Sequence, residues 1–276
     1  MLSFLLVSFL LAPFSLQGET QETPPTAKEA AEVLEKAFKE KNPIGLQELL
    51  LQYGWVEDKK VTKAIALGLK HPNEEVRVLA LKGLRYNAHK SAFDLLLKQK
   101  KNKLLLDGSQ TAPEYFMALG QKADKKALPI LTDRGRAHKA GDKAIQARIL
   151  ALGRIRDKKS VEALMDFLLA SGPRGEHPHI RPIRLSLMTL TGEDYGRDSR
   201  AWVDWWNENK RKVKVDSKPP ELPKEAAKFL RSTWITPKER QEALRKAEEE
   251  KEDQGDQEKE DDAVDQALGA LGNSGD

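Results

Sequence analysis

Asp-Lys-Lys stands three times at the head of an apolar-periodic run, at Asp58-Lys59-Lys60, Asp124-Lys125-Lys126 and Asp157-Lys158-Lys159. The first two starts lie 66 residues apart and the last two 33, so one gap is twice the other. A 33-residue step is the length of a helical hairpin in a repeat array. Each Asp is suited to accept hydrogen bonds from the free N–H groups of a first helical turn. The Lys pair then falls inside that turn, where the helix dipole slightly disfavours positive charge, so it reflects solvation or an anionic partner. Arrays of this kind share a core between neighbours and present a long surface, which makes binding the expected activity.

The intervening residues fill in about five hairpins. Thr26 with Glu29 forms a capping box ahead of Ala30, Val33, Leu34, Ala37 and Phe38 at helical spacing. A second helix is expected to open at Pro43, with Leu46, Leu49, Leu50 and Tyr53 on one face. Asp58 heads a helix carrying Val61, Ile65, Ala66 and Leu69; His71-Pro72-Asn73 breaks it, and Asn73 caps a partner with Val76, Leu79, Ala80, Gly83 and Leu84. A third hairpin runs from about Ala88 through Leu97 and a Lys-rich turn into Thr111 to Gly120. A fourth pairs the helix after Asp124 with Asp142 to Arg154, and a fifth pairs the helix after Asp157 with Ile180 to Leu190. The second helices close on Gly83-Leu84-Arg85, Ala118-Leu119-Gly120, Ala151-Leu152-Gly153 and Thr189-Leu190-Thr191-Gly192, where glycine is expected to supply a left-handed helix stop.

Pro72-Asn73-Glu74-Glu75-Val76-Arg77, followed by Ala80 and Gly83-Leu84, resembles the second helix of HEAT-like repeats. Leu190-Thr191-Gly192, then Tyr195-Gly196, Asp198 and the cluster Trp202, Trp205 and Trp206, resembles the closing segment of HEAT-like proteins exported by planctomycete-type bacteria. Together the resemblance spans residues 28 to 212. It implies an all-α solenoid in which Arg77 braces its own hairpin by hydrogen bonds and the second helices line the concave side. On that implication Arg85, Arg154, Arg181 and Arg184 are the expected contact residues. The group implies no single activity.

Residues 1–18 are uncharged and apolar and are followed at once by Glu19, the pattern of a signal peptide, with an uncleaved membrane anchor as the alternative. Either places the folded part outside the cytoplasm, secreted or periplasmic. The expected order is then a polar linker over 19–26, the array over 27–212 closed by its Trp-rich helix, a Pro-rich linker over 213–222, short helices over 223–252 and a disordered acidic tail over 253–276. From Ala247 onward twelve acidic residues face two Lys, a net of −10; the whole chain is +4, so the part before carries +14. Hydrophobic content of 39% is low for a compact globule, in keeping with an unpacked tail. There is no Cys, hence no disulfide framework and no thiolate metal site.

No residue set is singled out for catalysis. The chain lacks a Gly-x-Ser-x-Gly elbow and a Gly-rich loop ahead of a Lys-Ser/Thr pair, and no cofactor is implied. Glu176-His177-Pro178-His179 offers a carboxylate and two imidazoles but no later ligand at fixed spacing, so a solvated loop is expected there and no metal site. Trp202, Trp205 and Trp206 sit at i, i+3 and i+4, the spacing of one helix face sealing a core more than that of a ligand cage. The expected function is therefore a non-catalytic protein-interaction scaffold that meets an acidic protein surface through a basic concave face. Two alternatives stand beside it. One is binding of an anionic polymer, a cell-wall polymer or lipid surface more than nucleic acid, which an exported protein rarely meets; the other is a lyase-type helical-repeat enzyme. The acidic tail is a candidate intramolecular screen for the basic face. Membrane contact is expected only through an uncleaved N-terminus.

Overall fold

The structure, a computed structural model, describes residues 25–40, 44–133, 140–170 and 177–249. The candidate signal segment, most of the first linker and the acidic tail lie outside the described residues. The protein is all-helical, with no strand among the described residues. In chain order the helices are α1 (Ala27–Lys39), α2 (Leu46–Tyr53), α3 (Lys59–Leu67, continued by a 3-10 turn, Gly68–Lys70), α4 (Glu74–Tyr86), α5 (Lys90–Leu97), α6 (Lys103–Leu106) and α7 (Thr111–Gln121). A 3-10 turn (Lys125–Ala127) leads into α8 (Leu128–Leu131), followed by α9 (Asp142–Arg154), α10 (Lys158–Ala170), α11 (Ile180–Thr191), α12 (Ser199–Asn209) and α13 (Lys224–Trp234). One more helix occupies 237–249. No described helix is long and apolar enough to cross a membrane.

Local chemistry sets the helix starts. Asp58, Asp124 and Asp157 each accept a hydrogen bond from the backbone N–H two residues on, at Lys60 (2.5 Å), Lys126 (2.8 Å) and Lys159 (2.8 Å). Those bonds satisfy donors that a first helical turn otherwise leaves open. Thr26 and Glu29 cap each other in both directions ahead of α1, and Asn73 and Asp198 cap α4 and α12. Two starts differ from expectation. The second helix begins at Leu46, after Gly45 in the left-handed region (φ +68°), and Pro43 lies outside the described residues. The Lys-rich turn contains α6, because the Asn102 side chain accepts from the Leu104 N–H and restarts the helix.

Packing then joins the elements in order. Helix α1 lies against α3 and α2 against α4, while α4 packs on α7, α7 on α9 and α9 on α11. The last four form a continuous row whose shared core includes the fully buried Leu84, Leu119, Leu152 and Leu187. Three of the glycines expected to stop these helices do something else. Gly83, Gly120 and Gly153 lie inside α4, α7 and α9 with ordinary φ, and of the four only Gly192, at φ +79°, ends its helix in the left-handed region. The reason is steric. A Cβ on Gly120 would stand 2.7 Å from the Ala151 Cα, and one on Gly153 2.8 Å from the Ser186 Cα, so the bare backbone lets the next helix of the row come close.

Aromatic side chains bury one face of α12. Trp202 is fully buried, donates its indole N–H to the Gly196 carbonyl (3.1 Å) and meets Tyr195 edge-on at 5.1 Å. Trp205 is also buried, and Trp206 packs against the core, so this face of α12 belongs to the interior and meets α10.

Candidate functional site

Two arginines on the row are braces. The Arg77 guanidinium donates to the carbonyls of His71 (2.7 Å) and Pro72 (2.8 Å), closing the turn between α3 and α4. Arg148 on α9 is 1% exposed and donates to the carbonyls of Leu131 (2.6 and 3.1 Å) and Asp133 (2.5 Å), while the rings of Phe116 and Phe167 flank it at 5.3 and 5.4 Å. Burial lowers its pKa to about 10, which leaves it charged at neutral pH. Both are engaged within the fold.

His177 is engaged as well. His177 places Nε2 2.9 Å from the Phe167 carbonyl and accepts the His179 N–H at Nδ1 (3.0 Å), so Nε2 is the donor and both ring nitrogens are occupied. Burial pushes its pKa down. Glu176 lies outside the described residues, and among those described no three His, Cys, Asp or Glu side chains converge as metal ligands.

Successive second helices end on one side of the row, and their ends gather cations. An open cleft of about 670 Å³ is lined by Lys122, Lys125, Arg154, Arg156, Thr189 and Pro219, among others. Positive charge is favoured there because α7 and α9 direct unpaired carbonyls and the negative end of their dipoles at it. Ala123, at φ +51°, turns the chain sharply between Lys122 and Asp124. The Lys122 ammonium donates to the Asn87 carbonyl (2.5 Å), and burial lowers its pKa to about 8. Arg156 donates to Thr189 O from Nη1 (2.7 Å) and to Asp216 O from Nε, tying the chain that returns from α12 to the row. The cleft's carboxylate, Asp124, is occupied as a helix cap.

Lys122 gives a pH signature. Between its folded pKa near 8 and the ordinary lysine value of 10.5, the unfolded chain holds a proton that the folded chain has released. Stability therefore rises with pH across that interval. Relative to Lys122→Met, the natural chain is expected to gain up to about 2 kcal/mol between pH 7 and pH 10, read as urea midpoints of both proteins at both pH values. Parallel pH profiles for the two proteins would contradict this assignment.

Beside the cleft, α13 rests on the row through its last turn. Trp234 is 6% exposed, and the guanidinium groups of Arg85 and Arg154 each lie 5.6 Å from its ring centroid. Gln121 donates to the Trp234 carbonyl (3.0 Å), and Arg85 Nη2 donates to that of Thr233 (2.9 Å). Arg85 is itself buried and is held by Glu114 (3.2 Å) and by Gln121 Oε1 (3.3 Å). Burial raises the Glu114 pKa, with Arg85 opposing. Arg85 and Arg154 thus meet across one indole, and Arg154 also lines the cleft. Arg181 and Arg184 lie on α11 and line neither; Arg181 is exposed, and Arg184 forms a two-pronged ion pair with Asp194 (2.6 Å at both contacts) that holds that carboxyl below its usual range.

Sequence reasoning overlooked Trp234, Gln121 and Lys122. Their one local signal is that residues 224–234 form a strongly one-sided helix ending in Trp after a Pro-rich stretch. Compared with known proteins, the chain matches no family model, and no curated protein matches it.

Proposed function

We propose that this chain is a non-catalytic protein-interaction scaffold, a HEAT-like α-solenoid of about five hairpins closed by the Trp helix, which meets an acidic protein surface through a basic concave face. The carrying observation is the gathering of Lys122, Lys125, Arg154 and Arg156 on one open cleft at the ends of successive helices. The continuous row of α4, α7, α9 and α11 supports the solenoid reading, since in such arrays each hairpin packs on its neighbours. The carboxylate of the cleft already caps a helix, and the Lys122 ammonium already donates to the Asn87 carbonyl. Placement outside the cytoplasm rests on the apolar residues 1–18.

The same four cations in a cleft open to solvent favour a second reading, an anionic polymer. Immobilised full-length chain and its Lys125→Glu/Arg154→Glu variant, both exposed to envelope extract over a salt series, separate the readings. The scaffold reading expects one stoichiometric protein with a shallow salt dependence, weakened about tenfold or more by the charge reversals. Recovery of polymer alone, lost steeply with salt, supports the second reading. Equal capture by both proteins would remove the cleft from either.

A further inference from the structure

Helix α13 is seated on the row as a ligand would be. Among its residues only Trp234 is buried; Ala226, Leu230 and Thr233 are half-buried, and Phe229 on the other side is half exposed. Its attachment consists of one indole between two guanidinium groups and two backbone carbonyls, those of Thr233 and Trp234, capped by Arg85 and Gln121. Those carbonyls are free because they belong to the last helical turn, which has no intrahelical donors for them. Glu239, five positions beyond Trp234, accepts from the Thr236 N–H (2.7 Å) and hydroxyl (2.9 Å), and it lines with Arg154 a shared open space of about 330 Å³. An element with so little buried surface opens at a small fraction of the free energy that unfolds the core.

We infer that the Trp234 slot on α4, α7 and α9 is a partner-binding site and that α13 is its built-in competitor. This deepens the scaffold reading and rests on it. The partner is a protein helix whose last turn carries an indole and two unpaired carbonyls, with a carboxylate about five residues further on. Each feature has its receptor on the row. The indole takes the gap over Gly120, where a Cβ would come within 2.8 Å of the Trp234 ring; the carbonyls take Arg85 and Gln121; the carboxylate enters the open space that Arg154 lines. While α13 is docked, a competing helix reaches the slot only in the fraction of molecules in which α13 has left.

The test uses the full chain and a labelled peptide of its own residues 219–241. The Trp234→Ala chain is expected to bind the peptide at least tenfold more tightly than the natural chain, and a peptide carrying Trp234→Ala is expected to bind neither. Far-UV circular dichroism establishes that the variant is folded. In a second form, a protease site placed at Ser217 of the natural chain is cut after folding, and the freed segment is expected to exchange with labelled peptide. Equal binding to natural and Trp234→Ala chains, or no exchange after cutting, overturns the inference. A natural-chain dimer that the peptide dissociates would assign the slot to a second copy and overturn the foreign partner. Peptide exchange without any captured protein upholds the slot and removes the scaffold reading; captured protein without peptide exchange does the reverse.

Discussion

Arg148→Ala is expected to destabilise the folded chain by about 2 to 6 kcal/mol, about 1 to 3 kcal/mol for each of two carbonyls left without their buried donor. The guanidinium is the donor to two carbonyls, Leu131 and Asp133, where the chain leaves α8. Without it those acceptors lose their donor in the interior, and two aromatic faces, Phe116 and Phe167, lose the cation between them. Arg148→Lys is expected to recover little, because a single ammonium on a flexible stem cannot reproduce a planar fork aimed at two acceptors. Arg181→Ala, at an exposed position on the neighbouring helix, is the control and should stay within about 0.5 kcal/mol. Urea unfolding of the three variants reads all of this. A loss below about 1 kcal/mol for Arg148→Ala would show that the brace is dispensable.

Gly120→Ala carries the second large effect, and its sign is set by a competition. A helical Gly→Ala change away from any neighbour gains about 1 kcal/mol through propensity. Here the new Cβ would stand 2.7 Å from the Ala151 Cα, a backbone atom that moves only if α7 and α9 separate. Overpacking of that kind costs about 1 to 3 kcal/mol, so a net loss of up to about 2 kcal/mol is expected. The same Cβ also meets the Trp234 ring, whereas a Cβ on Gly153 meets Ser186. Both substitutions should therefore lower the urea midpoint, and Gly120→Ala should in addition speed proteolysis between residues 213 and 249. Equal proteolysis in the two variants, or a stabilised Gly120→Ala, would contradict the assigned contacts.

The parts of this molecule that read directly from sequence are those fixed within a few residues. Asp58, Asp124 and Asp157 announce helix starts because capping acts over two residues, and the helix from Asp142 to Arg154 has its expected bounds. The glycines at 83, 120 and 153 misled for a physical reason. A helix stop and a helix crossing both select for a missing Cβ, and only the neighbouring helix distinguishes them. Arg148 carries no local mark of a brace, because its partners lie 15 and 17 residues back across a turn. The setting of Trp234 is wholly long-range. The bonds around it join residues 113 and 148 positions apart, and no local pattern carries a contact of that length.

The route of the last described residues has a consequence for how the protein is made. Leaving α12, the chain is held by Arg156 at Asp216 and then by Arg85, Gln121 and Arg154 at Thr233 and Trp234, so it returns over helices made well before it. Contacts of such long separation form late, because closing a long loop is opposed by chain entropy. Synthesis from the N-terminus makes them later still. Every helix of the row exists before residue 224 does, so each newly made molecule passes through an interval in which the row is assembled and uncovered. Until residues 224–234 dock, a partner helix at the proposed slot would meet no internal rival.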